Sequence, residues 1–315
     1  MTESDQKNFN DPHLYDDEID LRELFNVIWE GKKLIILITS VVAICSIVYS
    51  LMLPNYYSSE SVLIARDSQN SGSLSQYSGL ASLAGVSLPS SGATPVSEVM
   101  EIIRSREFVK HLITFENVLP SIMAAKSYDA ASQELYFDPE IYDAKTKIWI
   151  RETSKNKGTK PSYLQAHKAY LAMLSISQDK KTGLIFMKIE HISPIFAKDF
   201  LALVIKQANT LNREIDIDSS SKALSYLKIE LSQTSLVEIK KSINQLIEAQ
   251  LETRMIASIH DEYSLILLEP PFIPEEKSRP GRSLIVILTT MLGGLLGVII
   301  VLIRHYSLGK GIINK

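Results

Sequence analysis

Glu269-Pro-Pro-Phe-Ile-Pro-Glu-Glu-Lys-Ser-Arg-Pro-Gly-Arg282 leads almost directly into residues 284–303, a run without charge or proline. About 20 such residues are what a helix needs to cross a bilayer. Upstream, Pro270, Pro271, Pro274 and Pro280 remove backbone donors and hold φ near extended values. A stiff strut, rather than a helix, must therefore lead into the span. Within the span Gly293 and Gly297 lie one helical turn apart with Gly294 beside them. That spacing lets another helix come close. A plain anchor with incidental glycines is the other reading.

Working outward, Lys32 and Lys33 precede residues 34–53, a second uncharged run of spanning length, closed by Pro54. A signal peptide would be shorter, would begin nearer Met1 and would not follow a long acidic tail. The next cation after this run is Arg66, so the flanking charge places the N-terminus in the cytoplasm. Around the second span Lys277, Arg279 and Arg282 balance Arg304, Lys310 and Lys315. An even number of spans then puts the C-terminal tail, 304–315, in the cytoplasm too. Residues 1–33 form the N-terminal tail, disordered to about Asp16. Leu21, Leu24, Phe25, Ile28 and Trp29 then fall on one helical face, with Asp17 and Asp20 as expected caps. Either an amphipathic helix lies on the membrane here, or this is a lead-in to the span.

The formal charge of −3 and the lack of any Lys/Arg-rich tract give no reason to expect nucleic acid. One cysteine, Cys45, permits neither an internal disulfide nor a thiolate metal cluster. No phosphate-loop, zinc-protease or nucleophile-elbow pattern is present. No catalytic, cofactor-binding or metal residue is expected.

Residues 54–283 make one extracytoplasmic domain of mixed helix and strand. A strand is expected over 56–65 and a Ser/Gly-rich loop, with room for one short helix, over 68–97. Helix resumes near Ser97, and 116–160 gives a mixed, moderately helical pattern. A helix over 163–170 precedes a hairpin of 171–177 and 184–191 that turns on Gly183. Ile185, Met187 and Ile189 alternate with Phe186, Lys188 and Glu190, so one face is buried. His191 reads as a solvated strand end. Neither Gly nor Pro occurs between Pro194 and Pro270, a helix pattern. It divides into a helix over 197–213, a break or run of caps at 216–221, and a long helix over about 222–259. At 1.5 Å per residue the last would reach roughly 55 Å and must project from the domain. Its apolar stripe includes Leu236, Ile239, Ile243 and Leu246, which must meet the core or a neighbouring subunit. Asp216 and Asp218 read as caps or turn residues rather than metal ligands. An apolar strand over 263–268 then enters the strut at 270–280.

Two spans flanking such a domain, with a proline strut before a glycine-bearing span, resemble the chain-length determinant (Wzz-type) family, the polysaccharide co-polymerases. The family motif reads Pro-x2-Pro-x4-Ser-Pro-Lys, then x11, then Gly-x3-Gly. Pro271, Pro274, Pro280, Gly293 and Gly297 fall in its register. Arg279 stands in place of the Ser and Gly281 in place of the Lys, with Arg282 one position late. Residues 17–24, 177–183, 193–198 and 246–250, with Met255, Glu262 and Tyr263, are similar to further family segments.

The resemblance implies an α/β base near the membrane with a long helix rising from it, and protomers assembled in a bell-shaped ring. It implies a homo-oligomeric inner-membrane protein, periplasmic in its main domain. Such a protein sets the length of lipid-linked polysaccharide together with a membrane polymerase. The sequence ends at Lys315 without a nucleotide-binding domain, so a kinase-less member is expected. The leading functional expectation is a non-enzymatic regulator of surface-polysaccharide length, most readily lipopolysaccharide O-antigen. A scaffold for capsule or exopolysaccharide export, working with a separate kinase or an outer-membrane channel, is the alternative. Direct action on glycan finds no pair of carboxylates to support it.

Overall fold

A computed structural model describes residues 21–66, 96–151 and 160–309 of the chain. Asp17, Asp20 and the loop over 68–95 lie outside the described residues. The chain forms two compact units, Met1–Leu53 with Pro280–Lys315, and Pro54–Arg279.

In the first unit α1 (Leu21–Glu30) turns at Gly31 into α2 (Lys32–Met52), which packs against α9 (Arg282–Gly309). α2 and α9 are each long and apolar enough to cross a membrane. Their apolar side chains, including Ile36, Leu37, Ile287 and Leu292, face outward, as lipid-facing residues do. Phe25 and Trp29 of the expected amphipathic face are exposed, and their rings stack at 6.0 Å. Lys32 Nζ sits 4.3 Å from the Trp29 ring centre.

The second unit is built on an antiparallel sheet. Its path is β6 (Leu174–Gln178), β7 (Ile185–His191), β1 (Tyr56–Ala65), β8 (Leu265–Glu269), with β9 (Lys277–Arg279) also on β1. Strand β1 has the bounds that its alternation predicts. The turn between β6 and β7 uses Gly183 at φ 75°, where a side chain would be strained. Leu63, Ile185, Met187 and Ile189 are fully buried on one face. They join Leu201, Val204 and Ala208 of α7 (Pro194–Gln233) in a single core. Short helices α3 (Val96–Arg104), α4 (Arg106–Leu112), α5 (Val118–Ala124) and α6 (Tyr163–Met173) add Ile103, Phe108, Leu112 and Tyr170 to it. Over its described part, 116–151, the stretch with a mixed, moderately helical pattern has one short helix, α5, and is otherwise not helical. After α5 come two small hairpins, β2–β3 (Ala125–Asp129, Glu134–Phe137) and β4–β5 (Tyr142–Asp143, Ile148–Trp149).

The helical region also differs from expectation. There is no break at 216–221. α7 runs 40 residues, about 60 Å at 1.5 Å per residue, and the break falls at 234–236 before α8 (Val237–Ile259). The residues that read as caps have partners to the side. Asp216 accepts from the Tyr263 hydroxyl at 2.7 Å, Ser221 donates to the Ile217 carbonyl at 2.7 Å, and Asp218 pairs with Lys222 at 2.7 Å. Neither Asp216 nor Asp218 is a cap, and no metal-ligating cluster occurs among the described residues. α8 folds back along α7, and its end is tied down at α7's middle. Asn209 donates to the Leu265 carbonyl and accepts from the Ser264 and Leu265 amides, each at 2.8 Å. Arg213 pairs with Asp261 at 3.1 Å.

His191 is a second correction, because it is buried rather than solvated. The Ser193 amide donates to its Nδ1 at 3.0 Å, which leaves the proton on Nε2 to donate to the Ser121 carbonyl at 2.9 Å. Burial lowers its pKa from 6.5 to about 4. Above pH 6.5 the ring is neutral whether the chain is folded or not, and this contribution is complete. Between pH 6.5 and about 4 only the unfolded chain takes up the proton, so stability falls as pH falls, by about 3 kcal/mol at most. The exposed carboxylates Asp129, Asp143 and Asp179, held below their usual range by turn hydrogen bonds, act only at lower pH. Thermal unfolding at pH 7 and pH 5 should show a drop that His191→Gln largely removes. An equal drop in the variant would assign it elsewhere.

Candidate functional site: the strut and the paired spans

The strut lies along strand β1 of the second unit. β8 pairs with Val62–Ala65 and β9 with Tyr56 and Tyr57, both antiparallel and each with a register shift. Between them Pro270, Pro271 and Pro274 have no amide hydrogen to give to a ladder. Hydroxyls of β1 bond the strut instead. Ser61 donates to the Glu269 carbonyl at 2.6 Å and Ser59 to the Phe272 carbonyl at 2.7 Å. At the far end Ser278 donates to the Tyr56 carbonyl at 3.1 Å. Both β1 serines are buried, in the same alternation as Leu63. The inward face of β1 thus turns polar where the prolines run.

A row of charges crosses the same strands. Glu60 on β1 pairs with Lys188 on β7 at 3.1 Å, and Lys188 lies 3.8 Å from Glu190. Arg279 closes the row on Glu190, whose side chain is only 13 % exposed. Sequence reasoning took Pro271, Pro274 and Pro280 as the motif and placed Arg279 in its register, but missed Ser59, Ser61 and the Glu190 partner of Arg279. The signal was present for the serines, since two hydroxyls occupy inward positions of an otherwise apolar strand. Each hydrogen bond is worth about 1 kcal/mol net, and more where loss leaves a buried carbonyl unpaired. Ser59→Ala with Ser61→Ala should therefore cost roughly 2–4 kcal/mol of domain stability and expose the strut to proteolysis first. Limited proteolysis with the fragments mapped checks this; cleavage elsewhere at an unchanged rate would remove the serines from this role.

In the first unit the glycines face the other span. A Cβ on Gly293 would lie 2.8 Å from Cβ and Cγ1 of Val42, and one on Gly297 would lie 3.3 Å from the Ile35 Cα. Gly31 takes part as well, its Cβ position being 2.4 Å from Val301 Cγ1. Each glycine therefore receives a β-branched side chain or bare backbone from the opposite helix. Thr39, Ser46 and Thr289 return their hydroxyls to their own helices, to Ile35, Ala43 and Ile285 carbonyls. That satisfies them without water.

The predicted stripe on the long helix divides. Ile243 is buried and Leu246 half-buried, while Leu236 and Ile239 are 58 % and 43 % exposed near the hairpin tip.

The model of the family described as Wzz, chain length determinant protein, matches residues 17–115. Among solved structures, one described as a full-length bacterial polysaccharide co-polymerase is similar at 16 % identity and TM-score 0.40. That similarity covers 92 % of this chain and 99 % of the other. A fragment of WzzB, polysaccharide co-polymerase from Salmonella Typhimurium, is similar at 15 % identity and TM-score 0.30, over 71 % of this chain and 100 % of the fragment. No curated protein matches the sequence. The match to the chain length determinant (Wzz) family covers residues 17–115, which hold the first span and strand β1.

Proposed function

We propose that the chain is a non-enzymatic, homo-oligomeric regulator of surface-polysaccharide length, acting on lipid-linked lipopolysaccharide O-antigen with a membrane polymerase. In this reading it sits in the bacterial inner membrane with both termini cytoplasmic and residues 54–279 periplasmic. One observation carries the proposal. The strut is bonded along the whole of β1 and then continues, through Pro280, into a span whose glycines are filled by the other span. In this reading the chain passes from the sheet of the outer domain to the second span over Pro280 and Gly281 alone. That is what a protein needs if events at the polymer are to be felt by a partner in the bilayer. Pro271, Pro274, Pro280, Gly293 and Gly297 are the coupling residues.

Deletion tests it. Loss of the preferred length, with polymer still reaching the surface, is the expected result on gel electrophoresis. Polymer retained inside would favour the export-scaffold reading instead. In a Cys45→Ser background an impermeant thiol reagent should label Ser235→Cys but not Glu30→Cys in intact cells. The reverse pattern would invert the orientation.

A further inference from the structure

We propose that the end of the span pair that carries α1 is a docking surface for anionic phospholipid headgroups. Lys32, Lys33 and Arg304 meet the phosphates, and the exposed rings of Trp29 and Phe25 bed in the headgroup layer.

The seam between the spans sets the level of these residues. A Cβ on Gly31, between α1 and α2, has no room against Val301 of α9, just as Gly297 receives Ile35 further in. In this register Lys32 and Lys33 stand one and two residues from Gly31, and Arg304 stands three from Val301. At 1.5 Å per residue the three cations fall within about 8 Å along the helices. The whole outer domain separates them in sequence. All three are exposed, and among the described residues Glu30 is the acidic one at this level. The uncharged runs also end here, at Leu34 and Ile303, so the ring lies where hydrocarbon gives way to headgroups.

The aromatic face belongs to the same place. Phe25 and Trp29 are 62 % and 61 % exposed, with their rings 6.0 Å apart. The opposite side of α1 is taken, since Val27 is buried and α1 packs on α9. α1 is therefore held against the second span with its rings outward. Trp29 lies about 3 Å beyond Gly31 and Phe25 about 9 Å, inside and at the margin of a headgroup layer roughly 5–7 Å deep. Two large rings left in water forgo a large hydrophobic gain, whereas an indole suits that layer.

The occupant must offer apolar depth beside negative charge. Lys32 Nζ lies 4.3 Å from the Trp29 ring centre, so cation and indole make one patch. Next to it the lipid-facing side chains Ile36 and Leu37 of α2 continue the apolar surface. A phospholipid phosphate above its acyl chains has both properties. A soluble anion would leave the rings in water, and a zwitterionic lipid would gain little from three cations.

The full-length chain in nanodiscs tests this, with Trp149→Phe leaving Trp29 as its one indole. Phosphatidylcholine brominated near the headgroup should quench Trp29 strongly, and aqueous acrylamide only weakly. Quenching by acrylamide without quenching by bromine would put the face in water and overturn the proposal. Shielding seen only in native membranes would hand the face to a protein partner, and overturn it too. Charge is read by native mass spectrometry of the chain released from mixed phosphatidylglycerol and phosphatidylcholine bilayers. Each of Lys32→Gln, Lys33→Gln and Arg304→Gln should cut the preference for phosphatidylglycerol about fivefold, while Lys32→Arg should keep it. An unchanged preference in the triple variant sinks the idea. The two lysines also help to orient the chain. If their variants insert poorly, Arg304→Gln, which leaves both in place, decides alone. No readout here involves the polymer, so the deletion experiment on polymer length stands or falls separately.

Discussion

Gly293→Leu combined with Gly297→Leu should leave the chain inserted in the membrane at normal level and abolish the preferred polymer length. Insertion survives because leucine is favourable at the centre of a span, at about −0.5 kcal/mol per residue. Packing does not. A Cβ at position 293 already falls 2.8 Å from two atoms of Val42, and the β-branched side chain of Val42 cannot rotate away within a helix. At position 297 the obstacle is backbone, the Ile35 Cα at 3.3 Å, which can only recede. The helices must separate along the seam. Cross-linking reads this directly. Thr39→Cys and Gly294→Cys lie within reach, since a Cβ on Gly294 is 3.7 Å from the Thr39 hydroxyl. In a Cys45→Ser background the pair should oxidise in the native seam and not beside the two leucines. An unaltered length mode with the cross-link lost would mean that close packing of the spans plays no part in length control.

The second large effect separates two residues that the sequence grouped together. Ile243→Asp places a carboxylate at a position 6 % exposed between α7 and α8 and should cost about 3–5 kcal/mol, enough to melt the helical hairpin. Ile239→Asp, four residues nearer the tip and 43 % exposed, should cost the single chain under about 0.5 kcal/mol. If protomers meet through the tip, Ile239→Asp should instead dissociate the oligomer while thermal unfolding of each chain is unchanged. Sedimentation in gentle detergent measures the first effect and circular dichroism the second. An Ile239→Asp oligomer of normal mass would move the protomer contact away from Leu236 and Ile239.

The elements that were legible in the sequence share a physical reason. Strand β1 alternates over its full length, the spans are apolar throughout, and the β6–β7 turn needs a residue at positive φ that only glycine supplies cheaply. The elements that were not legible lack such local signals. Over 116–151 the strands are two to five residues long, too short for a period to emerge. Their turns put Gln133 and Lys147 at φ 57° and 56°, and the residue before α5, Asn117, is at φ 64°, all without the glycine that would announce them. The helix break misled for the opposite reason. Asp216, Asp218 and Ser221 have the composition of caps, but Tyr263, Lys222 and the Ile217 carbonyl answer them laterally, and Tyr263 is 47 residues away in sequence. His191 likewise draws its partner Ser121 from 70 residues upstream. In the candidate site the prolines and glycines were legible because backbone chemistry singles them out. The partners Val42, Ile35, Ser59 and Ser61 were not, because any small or branched residue reads the same until the second chain segment is laid against it.

The hydroxyl-bonded strut carries a mechanical consequence. β1 begins at Tyr56, three residues after the first span's last turn, and the strut ends at Arg279, opposite Tyr56, just before the second span begins. Both strands therefore leave the seam from the same end. A force that draws the two spans apart loads this seam as a zipper, one bond at a time, rather than in shear, where all would resist together. The Ser278 bond and the Arg279–Glu190 pair would open first, then the hydroxyls of Ser59 and Ser61, and the regular ladder of β8 last. Opening would therefore run stepwise from the Arg279 end towards the β8 ladder, across a stretch in which the prolines offer no ladder bonds.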